Sequence, residues 1–411
     1  MIVHNSEKLQ AFYKHDKMNV AIVSDIFYPT SGGVTTFVDG LARAINKSGK
    51  ANAVVITGKA GKFKDTTDNP VIRCSSFPIP KEWGDSLPLP KLDCKFKKLV
   101  KKLNIDVLDI HTVFGVCTYF LKFAKKNNIP VVFQGNSKFS EEYPTIIKFK
   151  PLCKKMYNRA YGIARRADLV VPVSHSTCQN YTEHGVNNDK KVMHPGTDMY
   201  EFTDMERLHQ YFKEKHGIAR DYQNVMSFVS RLEIACKNID FMLESLKIVK
   251  DKGLDYKMFI LGTGTDVEKI KKMIVDLDLS DRVFMVGEVR DRELIAMYYK
   301  RSYLHLYPSV KDAFPLAKLE AASQGAPTVA IENTGTCEGM DDLYNGYVTK
   351  NDVNAYAQTI LDAFNDRAKH DEISQNTKQT LGKHWDKVAE EFMQAFTQLV
   401  SEKKSGEGLG K

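Results

Sequence analysis

From Asn19 the chain reads NVAIVSDIF, an apolar run that predicts a buried strand, and YPTSGG (28–33) breaks it. From Val34 the apolar residues fall at 34, 37, 38, 41, 42 and 45, the helical period, and Gly49 ends the pattern. ANAVVITG (51–58) is the next strand. The chain thus opens as strand, glycine loop, helix, strand, a βαβ unit. The alternation continues. DVLDIH (106–111), IPVVFQGNS (129–137), DLVVPVS (168–174) and KKVMHPG (190–196) read as strands, and the segments between them carry helical spacing. A second series runs through NVMSFVS (224–230), YKMFILG (256–262), RVFMVGEV (282–289), YLHLYPS (303–309), APTVAIEN (326–333) and GYVTK (346–350). Helical patterns separate the first five of these strands, so the fold class is α/β, with parallel sheets covered on both faces.

Length turns one series into two domains. A single core stops growing near roughly 250–300 residues, and the chain has 411. Residues 1–17 are polar and read as an appended segment. Residues 18–205 form one domain and 223–383 a second, with the polar stretch DMERLHQYFKEKHGIARDYQ (204–223) at the boundary. A helical pattern at 384–400 precedes a tail, 401–411, expected to be disordered. No apolar run is long enough to span a bilayer, and the first residues lack the apolar core of a signal peptide. Seven scattered cysteines without a Cys-x-x-Cys pair fit a reducing compartment, so a cytoplasmic location is expected.

Ligands of open α/β sheets sit at the carboxyl ends of the strands. Four loops there carry chemistry. Gly32 and Gly33 precede a helix and either make a tight turn or admit an anion to the helix amides. They are not a dinucleotide fingerprint, because Val-Thr-Thr-Phe follows in place of the third glycine. SRLEIACK places Arg231 and Lys237 in one loop, as a solvated surface or as a pair of cations for a diphosphate. LGTGTD (261–266) is the third loop. In KDAFPLAKLE, Asp312 and Glu320 are eight apart, roughly 800° on an ideal helix, so they do not share a face as a glycosidase acid pair would. With Pro315 near the first turn, the amides around 313–317 are free to take an anion while the two acids accept from hydroxyls, one of a sugar and one of a ribose. The alternative is an N-cap and a surface acid. Asp276 and Asp278 have the form of a metal pair but end a helix pattern, away from the strand ends, and read as solvated loop.

Charge is uneven. Residues 1–200 hold 30 basic and 17 acidic residues, whereas the remainder is acidic on balance. KLDCKFKKLVKKL (91–103) carries six lysines and an apolar stripe at 92, 96, 99, 100 and 103. It either packs on the sheet with a solvated face or lies on an anionic membrane surface. No nucleic-acid recognition motif is present, so no nucleic-acid partner is expected.

Taken in order, the first glycine loop, ADLVVPVS, HPGTDMYEF, the Arg/Lys loop, LGTGTD, VFMVGEV and the acid-x7-acid segment resemble a retaining glycosyltransferase of the GT-B fold, in the large family typified by bacterial α-glycosyltransferases. Within it the chain is most similar to enzymes acting on membrane lipids such as diacylglycerol. The resemblance implies two Rossmann-like, doubly wound domains facing a central cleft, a nucleotide-sugar donor (a UDP-sugar first), a lipid acceptor and no metal or other cofactor. It implies that Arg231 and Lys237 contact the diphosphate and that Glu320 holds the ribose. Asp312 and the backbone of Phe314, Pro315 and Leu316 would hold the sugar and phosphate. Gly33 would lie by the phosphate or acceptor, the base would rest by Val286 and Val289, and the last helix would return to the first domain. Asp312 stands where the family usually has Glu. Asn136 stands where a histidine is frequent, and His111 is a substitute on the acceptor side. The function expected is hexosyl transfer at the inner face of the cell membrane. The alternatives are surface-polysaccharide assembly, an epimerase or glycosidase on a similar fold, and a non-catalytic sugar- or lipid-binding protein.

Overall fold

In the computed structural model, which describes residues 1–30, 32–78 and 86–405, the chain divides into two units. Met1–Gly196 with Trp385–Lys411 form unit 1, and Thr197–His384 form unit 2. The strands of unit 1 are β1 (Ile2–His4), β2 (Met18–Val23), β3 (Ala51–Gly58), β4 (Val71–Cys74), β5 (Ser76–Pro78), β6 (Ser86–Pro88), β7 (Val107–Ile110), β8 (Val131–Gly135), β9 (Leu169–Pro172) and β10 (Asp189–Lys190). Its helices before the crossing are α1 (Gln10–Lys14), α2 (Gly33–Ser48), α3 (Cys94–Lys102), α4 (Gly115–Asn127), α5 (Phe139–Ile146), α6 (Lys150–Ala164) and α7 (His175–Glu183). The main sheet runs β1-β4-β3-β2-β7-β8-β9-β10, parallel except for β1, and β5 pairs antiparallel with β6. The central strands read as apolar runs because helices cover both faces: Val20 to Val23 and Ala53 to Ile56 are fully buried.

Unit 2 holds α8 (Met205–His216), β11 (Val225–Val229), α9 (Ile234–Lys237), α10 (Ile239–Asp251), β12 (Lys257–Leu261), α11 (Val267–Asp276), β13 (Val283–Gly287), α12 (Arg292–Arg301), β14 (Leu304–Leu306), α13 (Leu316–Ser323), β15 (Thr328–Ile331), β16 (Tyr347–Thr349), α14 (Val353–Asn365) and α15 (Arg367–Thr380). Its sheet, all parallel, runs β13-β12-β11-β14-β15-β16, the doubly wound order. The last helix, α16 (Trp385–Ser405), belongs to unit 1. There Phe37 of α2 meets Trp385 and Phe392 edge-on, with centroids 5.1 and 5.9 Å apart.

Several expectations need correction. The first 17 residues are part of unit 1: β1 pairs antiparallel with β4, and Leu9 and Phe12 are buried in the core. Two apolar residues three apart are too short a pattern to show as a helix in the sequence. The polar stretch 204–223 does not mark the boundary but belongs to unit 2. Its helix α8 buries Leu208 and Phe212 in unit 2 against Phe259 and Tyr298, and the unit boundary falls at 196/197. KKVMHPG contributes only Lys190 to a strand. Helix α16 runs to Ser405, so 401–405 are ordered, and 406–411 lie outside the described residues. The basic stretch 91–103 packs on the sheet through Phe96, Val100 and Leu103, while Leu92 is 77% exposed. Asp278 meets Lys250, in keeping with a solvated loop.

Two buried histidines make unit 2 acid-sensitive. His305 of β14 is enclosed, its Nδ1 3.1 Å from the Ser227 carbonyl, and burial lowers its pKa to about 3. His370 stacks on Tyr303 at 3.4 Å between centroids, and burial, helped by Arg367, lowers it to about 3 as well. The unfolded chain takes up these protons near its ordinary histidine pKa, while the folded chain refuses them until far lower. Stability is therefore complete above the ordinary value and falls as the pH drops toward 3. Urea unfolding should show a loss of about 2 kcal/mol per histidine between neutrality and about pH 5. A flat profile over that interval contradicts it.

Candidate functional site

In unit 2 the winding reverses between β11 and β14, and the loops leaving those strands carry Lys237 and Asp312. Lys237 ends the short helix α9 and is buried. Its Nζ stands 2.7 and 2.8 Å from the two Asp312 oxygens and 5.8 Å from the Tyr307 ring centre. Burial works against the ammonium, but Tyr307 and Asp312 more than offset it, so its pKa lies above the usual lysine value. Arg231 is near enough for its charge to oppose that of Lys237, and it bonds Glu233 at 3.0 Å from an exposed position.

The neighbouring loops are locked against this pair. A Cβ on Gly335 would collide with the carbonyl oxygens of Asp312 and Ala313, and one on Gly264 with the backbone of Leu232. Pro315 caps α13, whose first amides follow at Leu316, and Phe314 lies over Lys318. Lys318 is fully buried, one turn into α13. Its Nζ donates to the carbonyls of Thr336 (2.8 Å) and Glu338 (2.6 Å) and is 4.1 Å from the Phe314 ring centre. Burial lowers its pKa to about 7.

Glu320, further along α13, is buried and contacts neither Lys237 nor Asp312. Its oxygens accept from Arg292 Nη1 (2.8 Å) and the Tyr299 hydroxyl (3.4 Å). A row of rings, Tyr299, His305 and Tyr307, runs from Glu320 to the ion pair. Val286 and Val289, at the end of β13, pack half-buried on the cluster of Phe212, Phe259 and Tyr298.

In unit 1 the reversal lies between β2 and β7. Asp25, which the sequence pattern did not single out, bridges the loops after these strands. Its carboxylate accepts from the Thr112 hydroxyl (2.8 Å) and the amides of Phe114 (3.0 Å) and Val116 (2.7 Å), and so caps α4. Burial raises its pKa, and those donors oppose the rise. His111 is fully enclosed. Its Nε2 is 3.0 Å from Asp109 Oδ2, and its Nδ1 is 3.2 Å from the amide nitrogen of Asn136. An amide nitrogen only donates, so Nδ1 is the acceptor and Nε2–H the donor. Gln134 Nε2 holds the other Asp109 oxygen at 2.7 Å. Gly33 is the first residue of α2, and the space where a Cβ would stand is open there and at Gly32. Among the described residues no group of three His, Cys, Asp or Glu side chains is placed to hold a metal ion, and no helix is long and apolar enough to cross a membrane.

Two sequence models match the chain: Glycosyltransferase Family 4 over residues 31–200 and Glycosyl transferases group 1 over 210–380. The chain belongs to the GT-B glycosyltransferases of the family 4 type. Relatives of this glycosyltransferase include the alpha-monoglucosyldiacylglycerol synthase of Streptococcus pneumoniae, 23% identical over 322 residues, 77% of this chain and 71% of the relative. The synthase of the same name from Acholeplasma laidlawii is 22% identical over 343 residues, 80% of this chain and 82% of the relative. Solved structures with the same fold include sucrose-phosphate synthase from Thermosynechococcus elongatus (TM-score 0.74, 19% identity, 94% of this chain, 100% of that one). Anabaena HepE, in complex with UDP and glucose, has a TM-score of 0.72 at 19% identity, with 93% of this chain and 100% of that one covered. The enzyme is thus a transferase that draws on a nucleotide sugar.

Proposed function

We propose that the enzyme moves a hexose from a UDP-sugar, with retention and without a metal, to a hydroxyl of a membrane lipid such as diacylglycerol, at the inner face of the cell membrane. The observation that carries the donor half is the Lys237–Asp312 pair, assembled where the winding of unit 2 reverses. A diphosphate entering there exchanges with the carboxylate for the ammonium. Lys237, with Arg231, then neutralises the leaving group, and Asp312 is released to accept from a sugar hydroxyl. The amide N–H groups of Phe314 and Leu316, on either side of Pro315, face the same anion. Glu320, braced by Arg292 and Tyr299, takes the ribose hydroxyls, and Val286 and Val289 supply an apolar rest for the base. The names of the two synthases support a diacylglycerol-type acceptor.

On the acceptor side Asn136 carries no titrating proton, and His111 is enclosed with both nitrogens engaged. The imidazole positions the Asn136 amide, whose oxygen remains to accept from the incoming hydroxyl near Gly33. The proton passes to the leaving diphosphate, and catalysis rests on orientation and charge stabilisation.

A panel of UDP- and GDP-hexoses with extracted lipids, read by mass spectrometry and by the anomeric coupling of the product, tests this. Transfer to diacylglycerol with the donor's anomeric configuration, unchanged by a chelator, is expected. Inversion, or transfer only to soluble acceptors, rejects it. Glu320→Gln should raise KM for the nucleotide sugar about tenfold with kcat nearly unchanged, because the ribose bond is made in ground and transition states alike. An unaltered KM removes Glu320 from the ribose.

A further inference from the structure

A second basic feature lies in unit 1, in a cavity of about 330 Å³ that none of Asp25, Gly33, His111 or Asn136 lines. Its walls are Lys91 ahead of α3, Thr118 and Lys122 of α4, and Arg159, Gly162 and Arg166 along and just beyond α6. No acidic side chain lines it, and none of the four cations forms an ion pair among the described residues. Arg159 stands on α6 and Arg166 follows two residues after the helix ends, and both line the hollow. Gly162 sits between them with no side chain to fill the floor.

Four like charges converging on one hollow repel one another, and an anion removes that cost. Guanidinium forks match phosphate oxygens, two lysines complete the neutralisation, and the Thr118 hydroxyl adds an uncharged donor. The volume suits a phosphate with a small substituent. Beside the cations are exposed apolar side chains: Leu92, next in the chain to Lys91, is 77% exposed, and Leu152, seven residues before Arg159 on the same face of α6, is 47% exposed.

We propose that this pocket binds a phosphate ester, held between Arg159 and Arg166 on one side and Lys91 and Lys122 on the other, as a site separate from donor and acceptor. A lipid headgroup and a soluble phosphate ester share that chemistry. The test uses the full chain, the charge-reversed Arg159→Glu/Arg166→Glu pair and, for the opposite wall, Lys91→Gln/Lys122→Gln. All four positions are at the surface, and far-UV dichroism with unfolding midpoints verifies that each variant folds. Glycerol 1-phosphate binding is followed by calorimetry with UDP present in excess, so that phosphate does not enter the donor site. Flotation compares phosphatidylcholine vesicles with and without phosphatidylglycerol. Binding weakened about tenfold or more in both variants is expected. If glycerol 1-phosphate binds saturably the ligand is a soluble ester; if only the phosphatidylglycerol vesicles respond it is a headgroup. Wild-type binding to neither probe, or binding by both variants within about twofold of wild type, overturns the assignment. Neither result bears on the Lys237–Asp312 site, which UDP binding reports separately.

Discussion

Lys237→Met lowers kcat/KM for the nucleotide sugar by about a thousandfold while unfolding shifts by only about 1–2 kcal/mol. The two effects separate because the ion pair is lopsided. The Lys237 side chain is 8% exposed and that of Asp312 24%, so an Asp312 left alone rehydrates, whereas a Lys237 left alone does not. Methionine fills the lysine's volume and keeps the contact with Tyr307. What disappears is the charge that neutralises a departing diphosphate, and that interaction strengthens as the bond breaks, so the loss falls on kcat as well as KM. Asp312→Ala has the opposite emphasis: a buried ammonium stays unpaired, and stability drops by about 3 kcal/mol. Steady-state kinetics with urea unfolding of both variants decides. A Lys237→Met enzyme within about tenfold of wild type removes the cation from the reaction.

Asp25→Ala removes about 3 kcal/mol from the unfolding free energy of unit 1. The amides of Phe114 and Val116 and the Thr112 hydroxyl converge on this one carboxylate, and all lie at least 87 residues away in sequence. With an alanine there, the donors at the start of α4 lose their shared acceptor, the Thr112 and Val116 bonds being partly buried. Asp25→Asn keeps the shape but turns an NH₂ toward amide donors, so it recovers little. Urea unfolding followed by tryptophan fluorescence, to which Trp385 of unit 1 and Trp83 contribute, reads the change, and a shift below about 0.5 kcal/mol refutes the capping role.

These two residues mark what was legible. The alternation of β3, α4 and β8 is visible because parallel strands buried on both faces keep no polar alternation to blur them, and the α/β class follows from it while the strand order does not. Lys237 stands out in the sequence because it lies six residues from Arg231 in a loop at a strand's carboxyl end. Asp25 occupies an equivalent loop but does not stand out, because its partners are so distant in sequence and Ser24-Asp25 looks like ordinary strand termination. Lys318 is not legible for another reason: a lysine in a helix is expected at the surface, and the carbonyls of Thr336 and Glu338, in the stretch between β15 and β16, make its burial tolerable. The β1 strand, three residues long, offers too little pattern to read.

The packing of Trp385 on α2 has a consequence for synthesis. The indole occupies the space that a side chain at Gly40 would need, and Phe37 is covered by Trp385 and Phe392. These aromatic partners emerge from the ribosome after all of unit 2, so the module translated second can mature first. The module begun at the amino terminus waits, with Phe37 uncovered, for the final helix of its own chain.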